Sequence, residues 1–357
     1  MLATLRRVRV AATAVSPDWG DRRRRRQILG GALTFTATLG LFGLAGIAPQ
    51  AWAVDVTRNL AAGSAAASGQ FGTVEGYLYS PAAAVLSIPA TWLPAGVAIV
   101  GWLVAGVAII VIAAVHVCAA GLPNGDRALL ALLAVVFLPA LYDLQLGNVT
   151  IVVAGAVAAA AWPEDRVWTG IPLGLVLATV PKPQLIPILV WMLVFRRRAL
   201  AGSIATAAAV TLGTIAAVGT APYSAWVATL RAPPFMSGPM RGSFAITTLP
   251  PLAAIAVGVG AIGATGVALI RGRWPGLLAC TALGLLVSPY TLVYAPALFL
   301  VSARPLAAAT PGAVLLLAVA APIAILLVPQ VWVGSLLVLA VGLPASRWPV
   351  RSGFGVG

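Results

Sequence analysis

The chain has 357 residues, 61% of them hydrophobic and 8% charged, with a formal net charge of +14. A soluble domain carries about 25% charged residues, so 22 basic and 8 acidic side chains are too few to cover a water-facing surface of this size. The composition excludes a soluble globular enzyme, a disordered chain and a nucleic-acid-binding domain, and indicates an all-α polytopic membrane protein. The cations are Arg residues and a single Lys, Lys182, set in short clusters between apolar stretches as topogenic charges are. Cys118 and Cys280 lie inside apolar stretches without CxxC or CxxH neighbours, a pattern that argues against a disulfide or a zinc site.

In chain order, residues 1–27 form an Arg-rich tail containing Arg6, Arg7, Arg9 and the run Arg22 to Arg26. The apolar stretch 28–53 comes after its basic residues as a signal peptide would. It is long enough to span, however, and lacks a polar A-x-A context, so it is read as a retained first helix with a cytoplasmic N-terminus. The later apolar stretches fall at about 95–118, 128–142, 149–162, 167–180, 184–195, 199–218, 250–270, 275–288, 290–303, 311–328 and 331–344. That makes about twelve membrane helices in a single domain over 28–345, with a cytoplasmic tail at 346–357. Several stretches are shorter than the roughly 20 residues of a straight span, and an adjacent pair is open to being one broken or re-entrant element. His116 falls mid-stretch and reads as a packing imidazole.

Alternation places 18 of the 22 cations inside, leaving Arg58, Lys182, Arg231 and Arg241 outside with Asp55, Glu75 and Asp143. Two long outer loops, about 54–94 and 219–249, carry Pro, Gly, aromatic residues and a few charges, which points to work at the outer face. No internal repeat is visible, so an inverted-repeat transporter has little support.

Asp55 directly follows the first predicted helix. A carboxylate at a helix C-terminus opposes the macrodipole and loses hydration at the membrane edge; it serves either as a general base in an interfacial cleft or simply as the end of a helix. The segment 77–94 is apolar with aromatic ends at Tyr77, Tyr79 and Trp92, which fits an interfacial helix or, failing that, another span.

Asp55 after the first helix, the run Tyr77-Leu78-Tyr79-Ser80-Pro81 and the stretch from Pro89 to Leu93-Pro94 resemble glycosyltransferase family 87, the DUF2029 group of GT-C type membrane mannosyltransferases. Leu144-Gln145-Leu146-Gly147-Asn148-Val149-Thr150 resembles the family's L-G-Q-V-N signature, with Asn148 and Thr150 in place of Gln and Asn. Pro181-Lys182-Pro183-Gln184, with Arg196-Arg197-Arg198 closing the next stretch, is similar to its K-x-x-P segment and arginine cluster. Ser288-Pro289-Tyr290 resembles its late S-P motif, here continuing Thr291-Leu292-Val293-Tyr294 without the family's His pair, and the loop signature is reduced to Arg241-Gly242-Ser243-Phe244.

The resemblance implies a polyprenyl-phosphate-mannose donor, a lipid-linked glycan or glycolipid acceptor at the outer face of the plasma (inner) membrane, and inversion at the anomeric carbon, with no cofactor and no metal. It makes Asp55 the base. Lys182, between two prolines and opening a helix, becomes the phosphate ligand or else a snorkelling anchor. Arg58 either assists at the phosphate or pairs with Asp55. Glu75, Tyr79, Asp143, Asn148, Tyr290 and Arg241 become candidate sugar or acceptor contacts; the tyrosines read equally as an aromatic belt, and Arg241 as a contact to anionic lipid. The competing reading is non-catalytic: a lipid-linked-sugar transporter or flippase, or a degenerate transferase kept as an assembly partner. The near absence of ionisable groups in the predicted spans favours the enzyme.

Overall fold

The computed structural model describes residues 22–45, 52–118, 124–180, 182–231, 245–288, 295–302 and 329–342. Tyr290, Tyr294, Arg241 and the stretch 311–328 lie outside the described residues. All the regular structure among the described residues is helical. In chain order the helices are α1 (Arg22–Ala45), α2 (Val54–Ala67), α3 (Pro81–Ser87), α4 (Ala95–Ala113), α5 (Asn124–Val135), α6 (Leu138–Leu146), α7 (Thr150–Ala160), α8 (Ile171–Thr179), α9 (Ile186–Phe195), α10 (Arg197–Val218), α11 (Ala221–Arg231), α12 (Pro251–Arg271), α13 (Arg273–Val287), α14 (Phe299–Ser302) and α15 (Pro329–Gly342).

Among the described residues three helical stretches, Ala95–His116, Arg197–Val218 and Pro251–Arg271, are long and apolar enough to cross a membrane. The pair α5 and α6 meets that test jointly but is bent by 54° at its break. Proline sets where several apolar helices start, the short α6, α8 and α9 and the long α12 alike. Pro139, Pro172, Pro187 and Pro251 occupy the first turn of α6, α8, α9 and α12, where the missing N–H costs nothing and φ is already helical.

Helix α7 is the centre of the molecule. Thr150, Ile151, Val153, Ala154, Ala156, Val157, Ala158 and Ala160 are all buried, an all-round burial that an amphipathic surface helix does not show. Helix α13 is likewise buried from Pro275 to Ala282. These apolar walls form one core with parts of α4, α8, α9 and α15.

The C-terminal end of α7 is closed by arginine. Arg196 is 3% exposed between α9 and α10 and donates to the carbonyls of Trp162 and Pro163, while Arg273 donates to those of Ala161 and Trp162. Asp165 accepts from the Ala199 amide at 3.0 Å and the Arg198 amide at 3.3 Å, satisfying the start of α10. Arg26 of α1 lies 3.6 Å from the buried Asp126 of α5. The Arg196 and Arg273 contacts therefore gather around one end of α7, and the candidate site residues gather around the other.

Five sequence expectations change. The stretch 54–67, expected as irregular loop, is helix α2, as its run of Ala favours. Asp55 therefore sits in the first turn of a helix, where the macrodipole favours a carboxylate, and not at the C-terminus of the first span. The interfacial segment 77–94 is helical only from Pro81 to Ser87, continuing as a 3₁₀ turn from Ile88 to Trp92. The expected span 128–142 is broken at Val136-Phe137, where Phe137 takes an extended conformation ahead of Leu138-Pro139. Finally, the second long loop begins as helix α11.

Removing the Arg196 side chain takes the donor from the part-buried Pro163 carbonyl and one of two from that of Trp162, at about 1–3 kcal/mol. Arg196→Ala is expected to lower the thermal unfolding midpoint of the detergent-solubilised protein, with Arg196→Lys restoring part of the loss.

Candidate functional site

Helix α6 ends at Gly147 in a Schellman motif. The Asn148 amide donates to the Asp143 carbonyl at 2.9 Å and the Gly147 amide to the Leu144 carbonyl at 3.1 Å. Gly147 has φ 69°, and a Cβ there would collide with Val56 of α2. Glycine is required twice at this position, for the left-handed turn and for the approach of α2. The same contact is tied by the Ala53 amide, which donates to the Gln145 carbonyl at 2.7 Å. Two chain segments almost a hundred residues apart are thus held backbone to backbone, with Asp55 and Asn148 facing each other.

The Asn148 Nδ2 amide donates to Asp55 Oδ2 at 2.7 Å, and Arg58 donates to Asp55 Oδ1 at 3.3 Å. The carboxylate is 17% exposed, whereas Arg58 is 43% exposed. Asn148 Oδ1 accepts from the Thr150 amide at 3.2 Å and lies 3.0 Å from Thr150 Oγ1. Thr150 Oγ1 in turn receives Lys182 Nζ at 3.2 Å. A continuous polar chain therefore runs Arg58–Asp55–Asn148–Thr150–Lys182 across three separate elements.

Asp143 belongs to this cluster but not to its surface. It is fully buried, and its Oδ2 accepts the Ile151 amide at 2.8 Å, capping the start of α7 from outside the helix. Burial pulls the half-buried Lys182 ammonium below the usual lysine range, and the charges of Asp143 and then Asp55 pull it back up. Gln145, one turn away, is 3% exposed and its side-chain amide makes no hydrogen bond among the described residues.

Lys182 is positioned by its neighbours along the chain. Gln184 is buried and its Oε1 accepts from Ser288 Oγ at 3.1 Å, joining the Lys182-Pro183-Gln184 segment to the end of α13. On its other side, the Ser80 amide donates to the Thr179 carbonyl at 2.9 Å and Ser80 Oγ to the Ala178 carbonyl at 2.6 Å, docking Tyr79-Ser80-Pro81 onto the end of α8. Three of the short motifs singled out in the sequence are therefore in mutual contact or one residue apart.

Glu75 is placed elsewhere. It is exposed on the 70–79 loop and lines a cleft of about 270 Å³ with Tyr77, Tyr79 and Trp226. Tyr77 and Tyr79 pack edge to face with centroids 5.5 Å apart, and burial pushes the Tyr77 hydroxyl well above its ordinary range. A second cavity, about 530 Å³ and almost wholly apolar, runs among α4, α7 and α8 from Val149, Thr179 and Val180 to Trp162 and Trp168. Its upper residues flank Thr150 and Lys182 in sequence.

Sequence reasoning did not find Thr150 as the link to Lys182, Trp226 as a wall of the Glu75 cleft, or Gln145 as an unpartnered buried amide. The Gln184 and Ser288 motifs were singled out by the family resemblance, with no sign in the sequence that the two would meet.

A helical membrane protein with an acid–amide–lysine cluster at one end of a buried helix is the class that fold and site define. The family model of glycosyltransferase family 87 matches residues 77–289, more than half of the chain. The chain belongs to glycosyltransferase family 87. No curated protein and no solved structure matches it. The matched segment contains Asn148, Lys182 and Ser288 but begins after Asp55 and Arg58.

Gly147→Ala is expected to destabilise the protein by at least about 1–2 kcal/mol for the left-handed conformation alone, and to reduce transfer activity by displacing Asp55. Adding Val56→Ala should relieve the collision and recover part of the loss, since the strain in φ remains; unfolding midpoints and activity of the single and double variants check this.

Proposed function

We propose that this membrane glycosyltransferase moves a sugar, mannose by the family resemblance, from a polyprenyl-phosphate donor to a lipid-linked or cell-envelope glycan at the outer face of the plasma membrane, with inversion. The observation that carries the reading is the polar chain from Asp55 to Lys182 through Asn148 and Thr150. It holds a carboxylate and an ammonium apart by the length of two side chains, which suits a reaction that takes up a proton at one end and releases a phosphate at the other.

In this mechanism the acceptor hydroxyl attacks the anomeric carbon while Asp55 takes its proton. The bond from the anomeric carbon to the phosphate oxygen breaks, and the negative charge gathers on the departing polyprenyl phosphate. Lys182 stabilises that charge as a compact cation. Arg58 and Asn148 orient the carboxylate, and each carboxylate oxygen keeps a further lone pair for the incoming proton. Asp143 positions Lys182 and the start of α7. The apolar cavity beginning at Val149, Thr179 and Val180 suits the first isoprene units of the donor. A GT-C arrangement of about twelve spans, with both termini cytoplasmic, accompanies this reading.

The test is transfer from polyprenyl-phosphate-mannose in membranes containing matched amounts of protein. Asp55→Asn is expected to lower the rate by about 10²–10⁴-fold, the contribution of a positioned base. Lys182→Ala is expected to lower it by about 10²–10³-fold, the scale of one lost electrostatic contact. Wild-type rates in Asp55→Asn would remove the base assignment, whereas absence of transfer by the wild type would leave the non-catalytic reading in its place.

A further inference from the structure

The cleft around Glu75 is separate from the apolar cavity and has a different chemistry. It lies between the second half of α2, the 70–79 loop and helices α3 and α11. Its walls combine aromatic rings from Tyr77, Tyr79 and Trp226 with polar edges from Gln70, Glu75 and Thr229. Rings beside a carboxylate and an amide are the groups that hold a pyranose: the ring faces cover its C–H surface, and the polar edges bond its hydroxyls. The Tyr77 hydroxyl adds a polar atom with no hydrogen-bond partner among the described residues.

The walls are fixed in place. Trp226 Nε1 donates to the Leu78 carbonyl at 2.8 Å, pinning its ring against the loop, and Tyr223 meets the same ring edge to face. Gly76, with φ 70°, lets the Arg58 guanidinium lie against the loop backbone; a Cβ there would sit 3.2 Å from Arg58 Cζ. Arg58 also holds Asp55, so the cleft and the proposed base share one intervening side chain.

Charge and distance identify the occupant. The charged residue among those lining the cleft is Glu75, which repels a phosphate and accepts from hydroxyls, so the cleft suits a neutral glycan and not the donor headgroup. Ala62, on its wall, stands seven residues after Asp55 on the same helix, a rise of roughly 10 Å. A sugar in the cleft is therefore not the one that reacts at Asp55, but one further along the same acceptor.

We infer that this cleft is an acceptor subsite for a sugar ring beyond the reacting one, so that the chain extends an existing oligosaccharide. The inference rests on the assignment of Asp55 as the base. The full-length protein in nanodiscs is examined by saturation-transfer NMR against free mannose and a panel of free disaccharides: mannobiose, cellobiose and galactobiose. At least one disaccharide should bind more tightly than mannose. Glu75→Gln and Trp226→Ala should each weaken that binding tenfold or more. Trp226→Phe, which keeps a ring, should retain more binding than Trp226→Ala and guards against a folding defect. Failure of every disaccharide to bind, or equal binding by wild type, Glu75→Gln and Trp226→Ala, overturns the subsite. Undiminished sugar transfer by Asp55→Asn would instead overturn the base while disaccharide binding stood.

Discussion

A helix that starts inside a protein must have its first amides satisfied, because no water reaches them and each unpaired group costs free energy on the scale of a lost hydrogen bond. Helix α7 starts in this way, with Thr150 fully buried. The groups that answer its first two free amides are Asn148 Oδ1 and Asp143 Oδ2. Both residues come from the preceding helix end, and both then face the only Lys in the chain or the acid of α2. The candidate site is thus assembled from side chains whose first duty is to let α7 begin.

The same helix is completed at its other end by Arg196 and Arg273, which bind the carbonyls of Ala161, Trp162 and Pro163 just beyond its last turn. Anionic groups at the N-terminus and cations at the C-terminus complement the macrodipole of α7. The arginines that the sequence presents as topogenic therefore also carry structure. Asp165 repeats the arrangement in miniature at the start of α10. With so few charges in the chain, several serve a local and a global role together.

Much of the site was legible in short motifs. Asn148, Lys182 and Ser288 stood out by residue type and order, and they or their neighbours meet in the fold. What misled was Asp55. Its position was argued from a helix ending before it, whereas a run of small residues hid the helix that begins there. The residue singled out is the same in either reading, because a first-turn acid and a last-turn acid lie at the same point of the chain. Trp226 was illegible for another reason: its partner Leu78 is 148 residues away, and a single Trp in a loop-like stretch carries no sign of where it will dock. Asp143 was found for its charge, yet its burial and its bond to Ile151 came from a helix boundary that apolar composition alone does not reveal.

The brevity of α7 has a consequence for the lipid. Eleven residues rise roughly 16 Å, about half the ~30 Å thickness of a hydrocarbon layer. If the arginine end rests at one interface, the Asp55–Lys182 cluster lies beneath the headgroups of the opposite leaflet unless the bilayer thins around it. Under the proposed mechanism the leaving phosphate would then meet Lys182 in a depression of the membrane.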